Sequence, residues 1–325
     1  MCYILETLPP GGLPLKSVIA QIPKGHLLFL GKLLGNLLYY LAIRWRIVVR
    51  RNLQFTYARL SPKQIQRQEK HIFQHFGISI LELLQMTCFS KNDVLTNLHV
   101  EGQEILIEAL ARKKGIVLIS AHLGNYEMAW QFVPCHLGQP ITGVAKKFRN
   151  VRINRLIHNI RTRFGNRIIY KKGALPEMVQ TLRRGEIVAI LMDISRRFEG
   201  VEVNFFGRRA TATPAAALLG LRCKSPIIPA FCHRDEKGRL IVQIEPPVEI
   251  QRTNDLRSDL QTNTQLITDR VERAIRNYPE QWNWVLKRWK EFYPGLYPES
   301  ENHLRQIKEK AEKRGRRNSK RIGGN

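Results

Sequence analysis

Two residues of complementary chemistry stand five apart in the stretch Ile116–Trp130, IVLISAHLGNYEMAW: His122 and Glu127. Imidazole is the side chain best suited to take a proton near neutral pH. A carboxylate on its other ring nitrogen fixes the tautomer and stabilises the imidazolium that forms. On a continuous helix, five residues turn two side chains about 140° apart. The pair therefore meets only if His122 lies in a turn before the helix that carries Glu127, and Gly124 gives that turn its freedom. The apolar run Ile116–Ile119 reads as a buried strand ending just before His122. The carboxyl ends of strands are where open α/β sheets bind ligands. The expectation is that His122 is a general base oriented by Glu127. The spacing alone is weak; its place between a strand and a helix gives it weight.

No nucleophile accompanies this base. The chain has no G-x-S-x-G turn, and Ser120, two residues before His122, would make an awkward dyad. A base without a nucleophile implies that the substrate supplies one. A hydroxyl deprotonated by His122 and attacking a thioester is direct acyl transfer; with water in place of the acceptor the same groups would make an esterase. Further candidates fall on the same expected sheet edge. Arg161 and Arg163 stand two apart on an expected helix, point apart, and so only one should reach the site. Asp193 ends an expected strand, where it either assists catalysis or caps the next loop. Arg208 and Arg209 precede a helix expected near Thr213, and arginines beside a helix N-terminus suit phosphate. His71 and His75 share a helix face but lack a third ligand, so no metal or bound cofactor is expected.

The elements that must position these groups are legible as rhythm. Strands are expected near 116–120, 141–145, 167–170, 187–192, 201–206, 226–231 and 240–245, and helices near 125–134, 151–164, 174–184, 212–222, 258–277 and 280–289. Such alternation implies an α/β fold with a mostly parallel twisted sheet flanked by helices. Val201–Phe206 alternates in polarity and is expected at an edge or outside the sheet. Helices are also expected over 64–86 and 104–111. Trp282, Trp284 and Trp289 fit either core aromatics or an interfacial belt.

Before this region lies the most apolar run of the chain, His26–Ile43, followed by Arg44, Arg46, Arg50 and Arg51. As a helix it would be about 27 Å long. It suits a membrane-associating helix lying in the interface with arginines on lipid phosphates; a single span and a soluble core helix are the other placements. Gly31-x-x-x-Gly35 would allow a close helix contact. The expected organisation is an irregular segment 1–24, one domain over 25–300, and a basic tail 301–325 in which residues 303–325 hold nine Lys or Arg against two Glu.

The net charge of +26 calls for a polyanionic partner: an anionic bilayer, an acidic carrier protein or nucleic acid. A basic nucleic-acid-binding protein is the alternative of another class, but no RNP signature or zinc-finger spacing supports it, and no nucleic acid is expected. Five scattered cysteines argue against a disulfide framework.

Several motifs in order resemble one family. They are His122–Glu127 (HLGNYE), Ile160–Gly165 (IRTRFG), Asp193 after its strand, Asn204–Gly207 (NFFG), Ala210–Pro214 (ATATP), Pro279–Trp282 (PEQW) and Arg288–Lys290 (RWK). Over 27–295 the chain resembles the lipid A biosynthesis late acyltransferases, the lauroyl and myristoyl transferases of the lysophospholipid acyltransferase superfamily. The resemblance implies a glycerolipid acyltransferase-like fold on the cytoplasmic face of a bacterial inner membrane. It implies acyl carrier protein or acyl-CoA as donor and a hydroxyl of a phosphorylated lipid, a lipid A precursor first, as acceptor. It also implies catalytic roles for His122, Glu127, Arg161 and Asp193. Substrate contacts are implied for Asn125, Lys146, Asn150, Arg163, Gly207, Arg208, Arg209, Thr211 and Thr213. The chain departs from the family where Lys146–Val151 (KKFRNV) replaces an Arg-Pro-x-x-Asn-Pro segment, and at Ile194 and Leu286.

Overall fold

The computed structural model describes residues 22–148, 150–170, 173–196 and 200–299. The expected tail 301–325 and all but the last three residues of the expected segment 1–24 lie outside them. Strands form at β1 (Leu98–Glu101), β2 (Ile116–Ser120), β3 (Ile141–Ala145), β4 (Arg167–Tyr170), β5 (Ile187–Leu191), β6 (Val201–Phe205), β7 (Arg208–Ala212), β8 (Ile227–Arg234) and β9 (Leu240–Ile244). Seven of them make one sheet in the order β1-β9-β8-β2-β5-β3-β4. The five from β8 to β4 are parallel, while β9 runs antiparallel to β8 and carries β1 parallel to itself at the edge. The apolar runs Ile116–Ile119 and Ile187–Ile190 are buried, as central parallel strands must be. Strands β6 and β7 leave the sheet as a separate hairpin, as the polarity of Val201–Phe206 implied.

Helices are α1 (Lys24–Leu41), α2 (Ile43–Thr56), α3 (Pro62–Gln85), α4 (Lys91–Asn97), α5 (Gln103–Ala111), α6 (Tyr126–His136), α7 (Val151–Thr162), α8 (Ala174–Arg183), α9 (Ala215–Cys223) and α10 (Leu256–Asn277). Helices α5, α6 and α7 cover one sheet face; α8, α9 and α10 cover the other. From β2 the chain crosses through α6 toward β3. From β5 it crosses through α9 toward β8, in the opposite direction and on the opposite face. The gap between the ends of β2 and β5 is therefore a topological switch point, where ligands enter such sheets.

The N-terminal layer packs on α3 through glycines. A Cβ on Gly31 would stand 2.6 Å from Ile78 Cα, and one on Gly77 would stand 2.1 Å from the Gly31 carbonyl oxygen. Only glycine lets two helix backbones approach so closely. Along α1, Leu27, Gly31, Gly35 and Tyr39 are buried, whereas Phe29, Leu30, Leu33, Leu37, Tyr40 and Leu41 are 42–69% exposed. At 100° per residue these exposed side chains fill an arc of about 120° opposite the packed face. No single described helix is long and apolar enough to cross a membrane; α1 and α2 qualify only as a pair, bent by 93°. On α2, Arg50 is held by Glu69, Arg46 bonds the Tyr39 carbonyl, and Arg51 pairs with Glu299. Of the four arginines expected on lipid phosphates, three thus bind within the protein.

One expected helix does not form. Residues 280–289 make a single 3-10 turn, Pro279–Gln281, and then a run of turns. Their peptide groups serve the His122 loop instead: Gly124 N–H donates to the Gln281 carbonyl, Asn283 N–H donates to the His122 carbonyl, and Leu123 bridges Trp282. Trp282, Trp284 and Trp289 are fully buried around Phe205 and Phe206, so they are core aromatics.

Candidate active site

Sheet register builds the centre. Ser120 of β2 is paired with Leu191 of β5, so His122 and Asp193, each two residues further on, leave adjacent strands side by side. His122 backbone N–H donates to Asp193 Oδ2 at 2.8 Å, and its Nδ1 stands 2.8 Å from Oδ1. Trp282 Nε1–H donates to Oδ2 at 2.8 Å. Asp193 is fully buried. Burial pushes its pKa up, yet the His122 charge and the bonds from His122 and Trp282 outweigh this and hold it below the ordinary 3.8. An ionised carboxylate only accepts, so His122 Nδ1 must carry the proton and Nε2 is the basic atom. Nε2 has no hydrogen-bond partner among the described residues, and the ring is 11% exposed, with Tyr126 edge-on at 5.0 Å.

This corrects the expected partner of His122. Glu127 accepts from Arg161 Nε at 2.9 Å and from Arg161 Nη2, and it makes no hydrogen bond to His122. The reason is geometric. The first turn of α6 aims Glu127 at the end of α7, where a charge-assisted bidentate pair forms, while Asp193 already occupies Nδ1. The turn itself is as expected: Gly124 has φ +57°, and a Cβ there would lie 2.3 Å from the Cys232 carbonyl oxygen.

The other expected substrate contacts divide. Asn125, Asn150 and Thr213 are engaged in capping: Asn125 accepts from Met128 N–H at the start of α6, Asn150 from Arg152 and Ile153 N–H at the start of α7, and Thr213 from Ala215 N–H. Lys146 is exposed and lines a shallow cleft with His158, Arg161 and Tyr170. Arg163 turns away to the Thr87 carbonyl. Phe206 (φ +56°) and Gly207 (φ +71°) are the two central residues of the β6–β7 turn, both left-handed as the hairpin twist requires. Arg208 lies over Phe55, and Arg209 lies over Phe292 and pairs with Glu202. Both arginines sit on strand β7, six or more residues before α9, so they do not form the expected helix-terminus phosphate site. Thr211 Oγ1 bonds Ser195 and accepts from Arg196 N–H, which fixes the loop after Asp193.

Sequence reasoning missed Trp282 as a ligand of Asp193. It also missed Arg288, whose buried guanidinium donates to the Thr211 carbonyl and rests on the Phe205 ring at 4.7 Å; burial lowers its pKa to about 10. A second space lies beside Ser120 on the α6 face of the sheet. It is narrow and lined by Leu118, Ser120, Ala129, Phe132, Val133 and Val242. Its wall is almost wholly apolar. No group of three His, Cys, Asp or Glu side chains suited to a metal occurs among the described residues.

A buried carboxylate and a tautomer-fixed imidazole, with an apolar-walled space beside Ser120, suit proton abstraction. Comparisons with known proteins place the chain in a family. The family described as bacterial lipid A biosynthesis acyltransferase matches residues 12–291. The lipid A biosynthesis myristoyltransferase of Escherichia coli (strain K12) is 26% identical over 64% of this chain and 64% of its own length. The lipid A biosynthesis lauroyltransferase of the same organism is 25% identical over 86% of this chain and 90% of its own. A phosphatidylinositol mannoside acyltransferase of Mycobacterium tuberculosis (strain ATCC 25618 / H37Rv) is 24% identical over 58% of this chain and 59% of its own. With the family match running across most of the sequence and over the His122 centre, the chain belongs to the bacterial lipid A biosynthesis acyltransferases.

Proposed function

We propose that the protein is a membrane-associated O-acyltransferase that moves a fatty acyl chain from a thioester to a hydroxyl of a phosphorylated (glyco)lipid, a lipid A precursor in first place. The observation that carries this reading is the His122–Asp193 pair: Nδ1 is fixed by a buried carboxylate and Nε2 is left to act. In the step proposed, Nε2 takes the proton of the acceptor hydroxyl as its oxygen attacks the thioester carbonyl. The tetrahedral adduct collapses with loss of the thiolate, which takes the proton back from His122 and leaves as thiol. Asp193 stabilises the imidazolium in between, and the Trp282 bond keeps Asp193 in place. Glu127 acts through Arg161, holding α7 to the loop of His122. The apolar walls of the space beside Ser120 are proposed to part and receive the acyl chain.

The donor is an acyl carrier protein or acyl-CoA, and the +26 charge suits an acidic carrier as well as an anionic bilayer. The exposed arc of α1 is proposed to lie in the interface of the inner membrane on its cytoplasmic face, apolar side down. The lipid A names of the Escherichia coli relatives support the acceptor class. The test is incubation of purified protein with a lauroyl thioester and a lipid A precursor in mixed micelles, read by mass spectrometry. Acylated lipid is the expected product. Free fatty acid in the presence of acceptor would assign hydrolysis instead.

A further inference from the structure

The loop that carries His122 is gripped from outside the sheet domain. Asn125, fully buried at the start of α6, uses its side-chain oxygen to cap Met128 N–H at 3.0 Å. Its Nδ2 is thereby aimed at helix α3, where it donates to Glu82 Oε2 at 3.0 Å. Glu82 Oε1 accepts from Arg234 Nη2 at 2.6 Å, and both of these side chains are less than a tenth exposed. Arg234 and Gln281 exchange two bonds of 2.7 Å, and the Gln281 carbonyl accepts from Gly124 N–H at 3.1 Å. The chain Glu82–Asn125 and Glu82–Arg234–Gln281–Gly124 thus closes a ring around the turn that sets His122.

We infer that Glu82 is a positioning residue for His122, acting through Asn125, so that the glycine-packed layer α1–α3 is part of the catalytic apparatus as well as the face turned to lipid. A buried carboxylate needs every lone pair to be met, and a carboxylate is the one group of this length that can accept from both Asn125 and Arg234. The direction of each bond is fixed. Asn125 cannot flip its amide without losing the cap, and Arg234 only donates. The pairing therefore admits one reciprocal exchange. Moving the carboxylate to position 125 and the amide to position 82 keeps the cap, keeps the bond between the two positions with its direction reversed, and leaves the amide oxygen at position 82 to accept from Arg234, with the net charge of the group unchanged. This inference rests on the acyltransferase reading for its activity readout only; the geometry of His122 can be followed without it.

The test uses full-length protein with Glu82→Gln, Asn125→Asp and the double exchange. Each is assayed for lauroyl transfer to a lipid A precursor well below its unfolding midpoint. The downfield proton of the His122 Nδ1–H···Asp193 bond is followed by NMR in parallel. Glu82→Gln turns an amide donor toward Asn125 or Arg234, and Asn125→Asp sets two carboxylates against each other. In each single variant kcat is expected to fall about 100-fold, the scale of a displacement of about 1 Å at a reacting group, with KM unchanged and the proton signal lost or shifted. In the double exchange both should return to within about fivefold of wild type. A double exchange that is folded and as inactive as the singles overturns the inference, as does a double exchange that fails to fold. A Glu82→Gln variant with wild-type kcat and an unshifted proton also overturns it. If wild type shows no acyl transfer, the functional reading fails by itself, and the proton signal in the single and double variants still decides the positioning role.

Discussion

Asp193→Asn isolates the least expected feature of the centre. Both the His122 backbone N–H and Trp282 Nε1–H bond Oδ2 of Asp193, while Nδ1 of His122 bonds Oδ1. An introduced amide can keep its oxygen toward the first two donors, which leaves its NH2 facing Nδ1. Nδ1 then becomes an acceptor, the ring proton moves to Nε2, and the base is lost without a large change of shape. In a serine-protease triad the same exchange costs roughly four orders of magnitude in kcat, which is about 5.4 kcal/mol at 1.36 kcal/mol per decade. A comparable loss is expected here, with two of the three hydrogen bonds unchanged, the third reversed in direction, and the far-UV CD spectrum unchanged. The assay is thiol release in single turnover with saturating acceptor, and 15N shifts of His122 report the tautomer directly. Glu127→Gln should leave the Nδ1–H tautomer in place, because Glu127 binds Arg161. The acid limb of stability follows as well. The folded pKa of Asp193 lies below its ordinary 3.8, so its charge stabilises the fold above about pH 4. That contribution is lost as the pH falls through the folded value, and the variant should lack this part of acid unfolding. Asp193→Asn turning over within tenfold of wild type would refute the assignment.

Three further outcomes are expected. Gly124→Ala meets both a left-handed φ of +57° and the Cys232 carbonyl at 2.3 Å; it should lose more than about 2 kcal/mol of stability in urea unfolding, with activity falling alongside. Ala129→Leu narrows the apolar space and should shift preference toward shorter acyl thioesters, read as the ratio of kcat/KM across a chain-length series. Leu33→Ser removes a side chain that is 49% exposed on the apolar arc of α1; vesicle flotation should show roughly a tenfold weaker partition, about 1–2 kcal/mol, with thermal stability unchanged.

The sequence made the parallel core legible because buried central strands read as continuous apolar runs, as Ile116–Ile119 does. It also made His122 and its turn legible, since Gly124 and the strand before it are local signals. Strand β1 escaped as a four-residue edge with two polar members, and β7 because Arg208 and Arg209 open it with no apolar run. The partner of His122 was beyond local reading. The sequence places Glu127 five residues away and Asp193 seventy-one away, and only the β2–β5 register brings the second one in. The same five-residue spacing recurs at His99 and Glu104. There the histidine side chain is 60% exposed on the edge strand, so spacing by itself selects no site. The closing segment misled for a related reason. Its tryptophans have helical spacing, but its peptide groups are committed to the His122 loop.

The central claim is that Nε2 of His122 removes the acceptor proton. Its most direct test is the rate of acyl transfer from a labelled lauroyl thioester to a lipid A precursor by wild type and by His122→Ala, each folded by CD and matched in vesicle binding. A loss of at least about a thousandfold in kcat with little change in KM is predicted, in line with removal of a general base. Turnover within about tenfold of wild type in His122→Ala would contradict the account.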